Sequence, residues 1–154
     1  MAHGKLIFKI PGSSSEAFEA FFNHRVRLEW DTLLRENYVE GGGTYPYVGC
    51  VTVNKGKGWK LGFSMRTCFL TYEPPTRASA KINEPTGLFS LWAASMHFRE
   101  VNESKCELVY TYSIKLRPKW FGKLFDPIAG RLFARETKQR FEAMSQYIIS
   151  KRST

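Results

Sequence analysis

Few residues in this chain have the type and spacing that chemistry requires. The three histidines, His3, His24 and His97, are not spaced as metal ligands, and no metal or cofactor is expected. Cys50, Cys68 and Cys106 are odd in number, widely separated and without a CxxC pair, so they read as reduced thiols on strands in a cytoplasmic protein. There is no P-loop, GxGxxG, HExxH or GxSxG. What remains is His97, whose strand alternation groups it with Phe89, Leu91, Ala93 and Ser95. If that face is concave, the imidazole can donate to a ligand carbonyl or move a proton; if it is convex, His97 is a surface residue. Trp59, Phe63, Met65, Tyr110 and Tyr112 occupy strand positions expected to point inward. A tyrosine hydroxyl in an apolar interior needs a partner, which water or a ligand can supply; a filled aromatic core is the competing account. Glu136 and Arg140 stand four apart with the acid first, the order of a helical ion pair, or one of them reaches inward to a polar ligand group. Arg66 and Arg99 are weaker candidates of that kind.

The elements that must hold these groups follow from periodicity. Leu6–Ile10 reads as a strand, broken by Pro11-Gly12. Ser13 and Glu16 have capping-box spacing, and Ala17, Phe18, Phe21 and Phe22 follow at helical spacing. Val26, Leu28, Trp30, Leu33 and Leu34 suggest a second short helix. Period two then takes over: Tyr38–Glu40, Tyr45–Val53, Trp59 to Phe69, Arg77–Asn83, Phe89–Val101 and Cys106–Leu116, separated by turns rich in Gly, Pro and Asn. Trp59, Leu61, Phe63, Met65, Thr67 and Phe69 should form the inward face of their strand, against Lys60, Gly62 and Ser64 outside. Asp126-Pro127 is a helix-start signal, and a helix to about Ser150 carries the stripe Ala129, Leu132, Phe133, Phe141, Met144 and Ile148. Arg131, Arg135 and Lys138 lie on the opposite side. Consecutive strands with short turns make an antiparallel meander, and the long helix is the one element large enough to cover it.

Composition bounds the function. The 154 residues suit a single α+β domain, and 43% hydrophobic with 24% charged residues is ordinary for a globular protein. Aromatics reach 15%, consistent with a lined pocket or a filled core. The net charge of +9 favours acidic partners, an anionic membrane surface among them, but exposed aromatic interleaving of the kind that binds single-stranded nucleic acid is missing. No signal-peptide core or membrane-span-length run is present.

Read in order, these elements resemble the START-like, birch-pollen-allergen-like superfamily (SRPBCC), and within it the polyketide cyclase/dehydrase group. Trp30-Asp31 resembles a recurrent Trp-Asp element, though Thr32 stands where Pro is frequent. Glu73-Pro74-Pro75-Thr76-Arg77 resembles a turn between central strands, Gly87 to Glu100 with Trp92 and Phe98 the next long strand, and Asp126-Pro127 the start of the closing helix. The resemblance implies a helix-grip: a curved antiparallel sheet of about seven strands around a long C-terminal helix, two short helices after strand 1, and an internal cavity.

The expected function is binding, with transfer as an extension, of an apolar or amphipathic small molecule such as a lipid, quinone or polyketide. Trp59, Phe63, Met65, Trp92, His97, Tyr110, Tyr112, Ala129, Leu132, Phe133 and Glu136 are the expected ligand contacts, in a pocket of several hundred Å3 by the usual scale of such sites. The alternatives are a cyclase/dehydratase-type enzyme using His97 and Tyr112, or an interaction module whose basic surface docks on an acidic partner.

Overall fold

Caps and alternation translate directly into elements. In a computed structural model, which describes residues 1–56, 64–87 and 89–152, the chain runs β1 (Ala2–Ile10), α1 (Ser14–Phe22), α2 (His24–Trp30), β2 (Leu34–Val39), β3 (Val51–Gly56), β4 (Ser64–Glu73), β5 (Arg77–Ile82), β6 (Phe89–Asn102), β7 (Lys105–Leu116) and α3 (Lys119–Arg152). The strands form one antiparallel seven-stranded sheet in the order β1-β7-β6-β5-β4-β3-β2. β2 to β7 are a meander, and β1 returns to pair with β7 from Ala2 opposite Ile114 to Ile10 opposite Cys106. This is the expected helix-grip: a curved sheet, two short helices after β1 and a long closing helix.

Local chemistry explains the helix ends. Ser13 Oγ accepts from the Glu16 amide at 3.1 Å while Glu16 Oε1 accepts from the Ser13 amide at 3.1 Å, closing the capping box of α1. Asn23 ends α1 and caps α2, its Oδ1 accepting from the Arg25 amide at 3.0 Å. α2 ends at Trp30, so Leu33 and Leu34 are not helical. Asp31 takes extended backbone angles and its Oδ1 accepts from the Leu33 amide, turning the chain into β2.

Strand faces follow the pairing. In β4, Met65, Thr67 and Phe69 are buried and Ser64, Arg66 and Leu70 are exposed, as the alternation requires. Trp59, Lys60, Leu61, Gly62 and Phe63 lie outside the described residues. Met96 sits opposite Tyr110 and Phe98 opposite Leu108 on the buried concave face. The segment from Tyr45 to Cys50 is not strand: Gly49 has φ +87 and extended pairing begins at Val51.

α3 starts eight residues before the position suggested by Asp126-Pro127. Asp126 is no cap; it is buried within the helix, where Oδ1 accepts from the Leu116 amide at 2.9 Å and Oδ2 meets the Met1 ammonium at 2.8 Å. Its neighbours on that face are glycines. A Cβ on Gly122 would lie 2.9 Å from the Leu116 carbonyl oxygen, and one on Gly130 would lie 3.0 Å from Ala2 Cβ, so the helix backbone rests almost directly on the sheet. Further along, Thr137, Arg140, Phe141, Met144 and Ile148 are buried and Phe141 stacks on Phe21.

Candidate functional site

Between the concave face of the sheet, the two short helices and α3 lies a cavity of about 90 Å3. It is smaller than the several hundred Å3 expected, because aromatic rings fill much of the interior: Phe22, Phe69 and Tyr72 pack edge to face, Phe18 lies tilted against Tyr72, and Trp92 meets Phe133 at 6.2 Å. The apolar wall includes Phe21, Met65, Phe69, Trp92, Met96 and Phe133.

One end of the wall is charged. Asp31, fully buried, accepts from Arg27 Nε at 3.0 Å and from Arg140 Nη2 at 3.1 Å, both on the same oxygen. Burial alone would raise the Asp31 pKa, but the Arg140 and Arg27 guanidiniums outweigh it and hold the carboxyl down at about 2. Burial draws Arg27 down to about 10, offset in part by Asp31, so it stays charged at neutral pH. Two guanidiniums against one carboxylate leave a positive charge in excess beside the cavity. The Phe21 ring sits under both, 4.1 Å from Arg27 Cζ and 5.9 Å from Arg140 Cζ, and supplies part of the compensation. Arg140 Nε is buried and finds no acceptor.

Other polar groups reach the same wall. Tyr110 is buried close to this triad, has no hydrogen-bond partner among the described residues, and is pushed up to about 12 by burial, so it remains a donor. His24 contacts the Thr44 carbonyl through Nδ1 at 3.0 Å, which requires the proton on Nδ1 and leaves Nε2 as an acceptor. Burial draws its pKa down to about 4, against the pull of the Thr44 carbonyl, so the ring is neutral at pH 7. On the sheet, Thr52 and Thr67 hydroxyls bond at 2.6 Å and Asn54 donates to Thr67 at 3.4 Å.

The sequence-derived candidates divide. Met65, Trp92, Tyr110 and Phe133 line the cavity. Trp59 and Phe63 lie outside the described residues. His97 does not face inward: it pairs with Val109 on the convex side and is exposed, because the concave parity of β6 belongs to Trp92, Ala94, Met96 and Phe98. Leu132 points to solvent from the outer face of α3. Tyr112 is buried but leans over Gly4 and donates to the Gly130 carbonyl at 3.3 Å, tying β7 to α3 rather than facing the cavity. Ala129 and Glu136 are half-buried and do not line the cavity, whereas Arg140 does. Arg66 bonds Glu40 and Arg99 faces Glu107, both on the exterior. Arg27, His24, Thr52 and Asn54 were missed; nothing in their spacing marks them, since β2–β3–β4 pairing and the α2 turn bring them together, whereas Thr67 was placed on the inward face of β4 by alternation but not among the ligand contacts. Cys106 is buried with its thiol pushed up to about 11, and among the described residues no group of three His, Cys, Asp or Glu side chains clusters as a metal site.

The sequence profile of the family described as "Polyketide cyclase / dehydrase and lipid transport" matches residues 7–148. No curated protein matches the sequence. Among solved structures, a START superfamily protein from Mycobacterium smegmatis superposes with a TM-score of 0.79 at 7% identity over 96% of this chain and 97% of that one. Norcoclaurine synthase from Thalictrum flavum, in complex with dopamine and hydroxybenzaldehyde, gives 0.65 at 11% identity over 97% and 87%. The di-domain ARO/CYC BexL from the BE-7585A biosynthetic pathway gives 0.75 at 7% identity over 95% of this chain and 46% of that one. At these identities the superpositions speak to the fold.

Proposed function

On the premise that this chain belongs to the polyketide cyclase / dehydrase and lipid transport family, we propose that it binds an apolar or amphipathic small molecule under α3, with an acidic or hydrogen-bond-accepting group of that molecule at Arg140. One observation carries the reading: a buried guanidinium on the cavity wall, in a cluster with excess positive charge, has a donor without an acceptor. Burying such a charge is costly unless an acceptor completes it, and a ligand carboxylate, phosphate or carbonyl supplies one. Tyr110 offers a second donor beside it, and the aromatic wall accepts the apolar remainder.

A cavity of about 90 Å3 admits a small ring or a short chain segment, so a larger ligand enters by displacing Trp92 and Phe133, which meet across the space between β6 and α3. The groups on the wall, and Asp31 buried behind it, support binding over acid–base turnover. Asp31 at about 2, His24 at about 4 and Tyr110 at about 12 all titrate far from neutrality, where a general acid or base works best.

Native mass spectrometry of the purified protein, with organic extraction of what it retains, tests the proposal. The expected result is a retained amphiphile carrying an acidic or carbonyl group. In competition with the anionic probe 1-anilinonaphthalene-8-sulfonate, Arg140→Met should weaken binding about tenfold or more while an uncharged probe is little affected. Equal losses for both probes would remove Arg140 from the ligand's polar end, and chemical conversion of the retained molecule would establish the cyclase/dehydratase alternative.

A further inference from the structure

The first half of α3 turns large apolar side chains outward. Trp120, Leu124, Ile128 and Leu132, spaced four apart, are 67%, 66%, 48% and 53% exposed, and Phe125 beside them is 38% exposed. That spacing keeps them on one helix face, away from the face on which Gly122, Asp126 and Gly130 are buried. The charges around them are of one sign. Lys119, Lys123, Arg131 and Arg135 are exposed, and the acid among residues 117–135 is Asp126, which is buried. Among the described residues none of these four cations forms an ion pair, whereas Arg66, Arg77 and Arg152 on other surfaces meet Glu40, Glu73 and Glu16.

An apolar row rimmed by unpaired cations is complementary to a surface that is apolar inside and anionic at its edge, which describes the headgroup boundary of an anionic bilayer. A second copy of the chain is a poorer fit, since a two-fold contact through this face would set the same cations against each other. No helix among the described residues is long and apolar enough to cross a membrane. We propose that residues 119–135 dock in the plane of an anionic lipid bilayer, with Trp120, Leu124, Ile128 and Leu132 in the acyl boundary and Lys119, Lys123, Arg131 and Arg135 at the phosphates. The proposal does not depend on what the cavity holds.

The test is flotation of the full chain with vesicles of phosphatidylcholine, with and without phosphatidylserine. Wild type should float with the phosphatidylserine vesicles, less with phosphatidylcholine alone, and progressively less as salt is raised. Trp120→Ser combined with Leu124→Ser, and separately Lys119→Glu combined with Lys123→Glu, should each reduce binding about tenfold or more. Circular dichroism and thermal midpoints should stay unchanged, because these side chains are exposed. Adding vesicles should blue-shift tryptophan emission in wild type but not in Trp120→Phe. Failure of wild type to float at low salt overturns the proposal, as does flotation that neither double variant alters. A dimer dissolved by Trp120→Ser with no vesicle binding would assign the face to a second copy, and capture of an acidic peptide without lipid binding would assign it to a protein; either result overturns it too.

Discussion

The two halves of α3 depart from the usual inside–outside arrangement in opposite senses. The first half meets the sheet through Gly122, Asp126 and Gly130 and shows Trp120 and Leu124 to solvent; the second half buries Arg140 among Phe21, Phe141 and Asp31. Small residues bring the first half close to β1 and β7 along the Gly122, Asp126 and Gly130 face; Phe121 and Phe133 still pack against the core from its flanks, while Trp120, Leu124, Ile128 and Leu132 fall outside. The second half stands further off, and the gap holds both a ring stack and an ion cluster. One helix thus carries a surface for something large and a wall for something small.

Removing the carboxylate of the second half should have the largest effect. Asp31→Ala strands two buried guanidiniums and should cost about 3–5 kcal/mol in urea unfolding. A cost below about 1 kcal/mol would mean that the arginines find solvent, and the contrast between the halves would fail there.

Acid should act on the same end next. The His24 pKa is about 4 in the folded chain and near its ordinary 6.5 unfolded, so between these values the unfolded chain binds more protons. Stability should be full above about pH 6.5 and fall by about 2–3 kcal/mol as pH drops towards 4. Asp31, depressed to about 2, adds its own loss only below about pH 4. Denaturant titrations of His24→Gln should lack the first slope; a slope that persists would place the titrating group elsewhere.

In the first half, Gly122→Ala sets a Cβ against the backbone oxygen of Leu116. The clash should cost about 1–3 kcal/mol, outweighing the gain of up to about 1 kcal/mol that alanine brings to a helix interior. A stabilised variant would show that the helix can lift off the sheet. The smallest effect belongs to the outward row: Trp120→Ser should change stability by no more than about 0.5 kcal/mol, by thermal melting, since it packs into nothing deep.

Much of this fold was legible along the chain, because β4 and β7 alternate cleanly and Ser13/Glu16 cap α1 by spacing alone. The site was legible only where one strand decides the matter, as at Met65 and Tyr110. His97 went to the wrong face because β6 is apolar on both sides, so its parity is settled by Met96 lying opposite Tyr110 in the neighbouring strand. Arg140 looked like a local partner of Glu136, whereas its carboxylate stands 109 residues away at Asp31, beyond the reach of any spacing rule. Asp126-Pro127 carries the chemistry of a helix start, and tertiary structure overrode it by giving Asp126 the Leu116 amide to hold. The outward row beginning at Trp120 stands at a spacing of four, but a helix begun at Pro127 leaves Trp120 and Leu124 outside it, and Leu132 was assigned to the inward stripe.

The return of β1 to β7 has a consequence in time. Ala2 through Ile10 leave the ribosome well before their partners, Cys106 through Ile114, which are made about a hundred residues later. At about 5–20 residues per second, β1 waits roughly 5–20 s without its ladder. During that interval the incomplete sheet offers an open edge along β6 and then β7 to neighbouring nascent chains. Slower translation of the segment up to Leu116 would lengthen the wait and should lower the soluble yield of a protein whose finished form is unchanged.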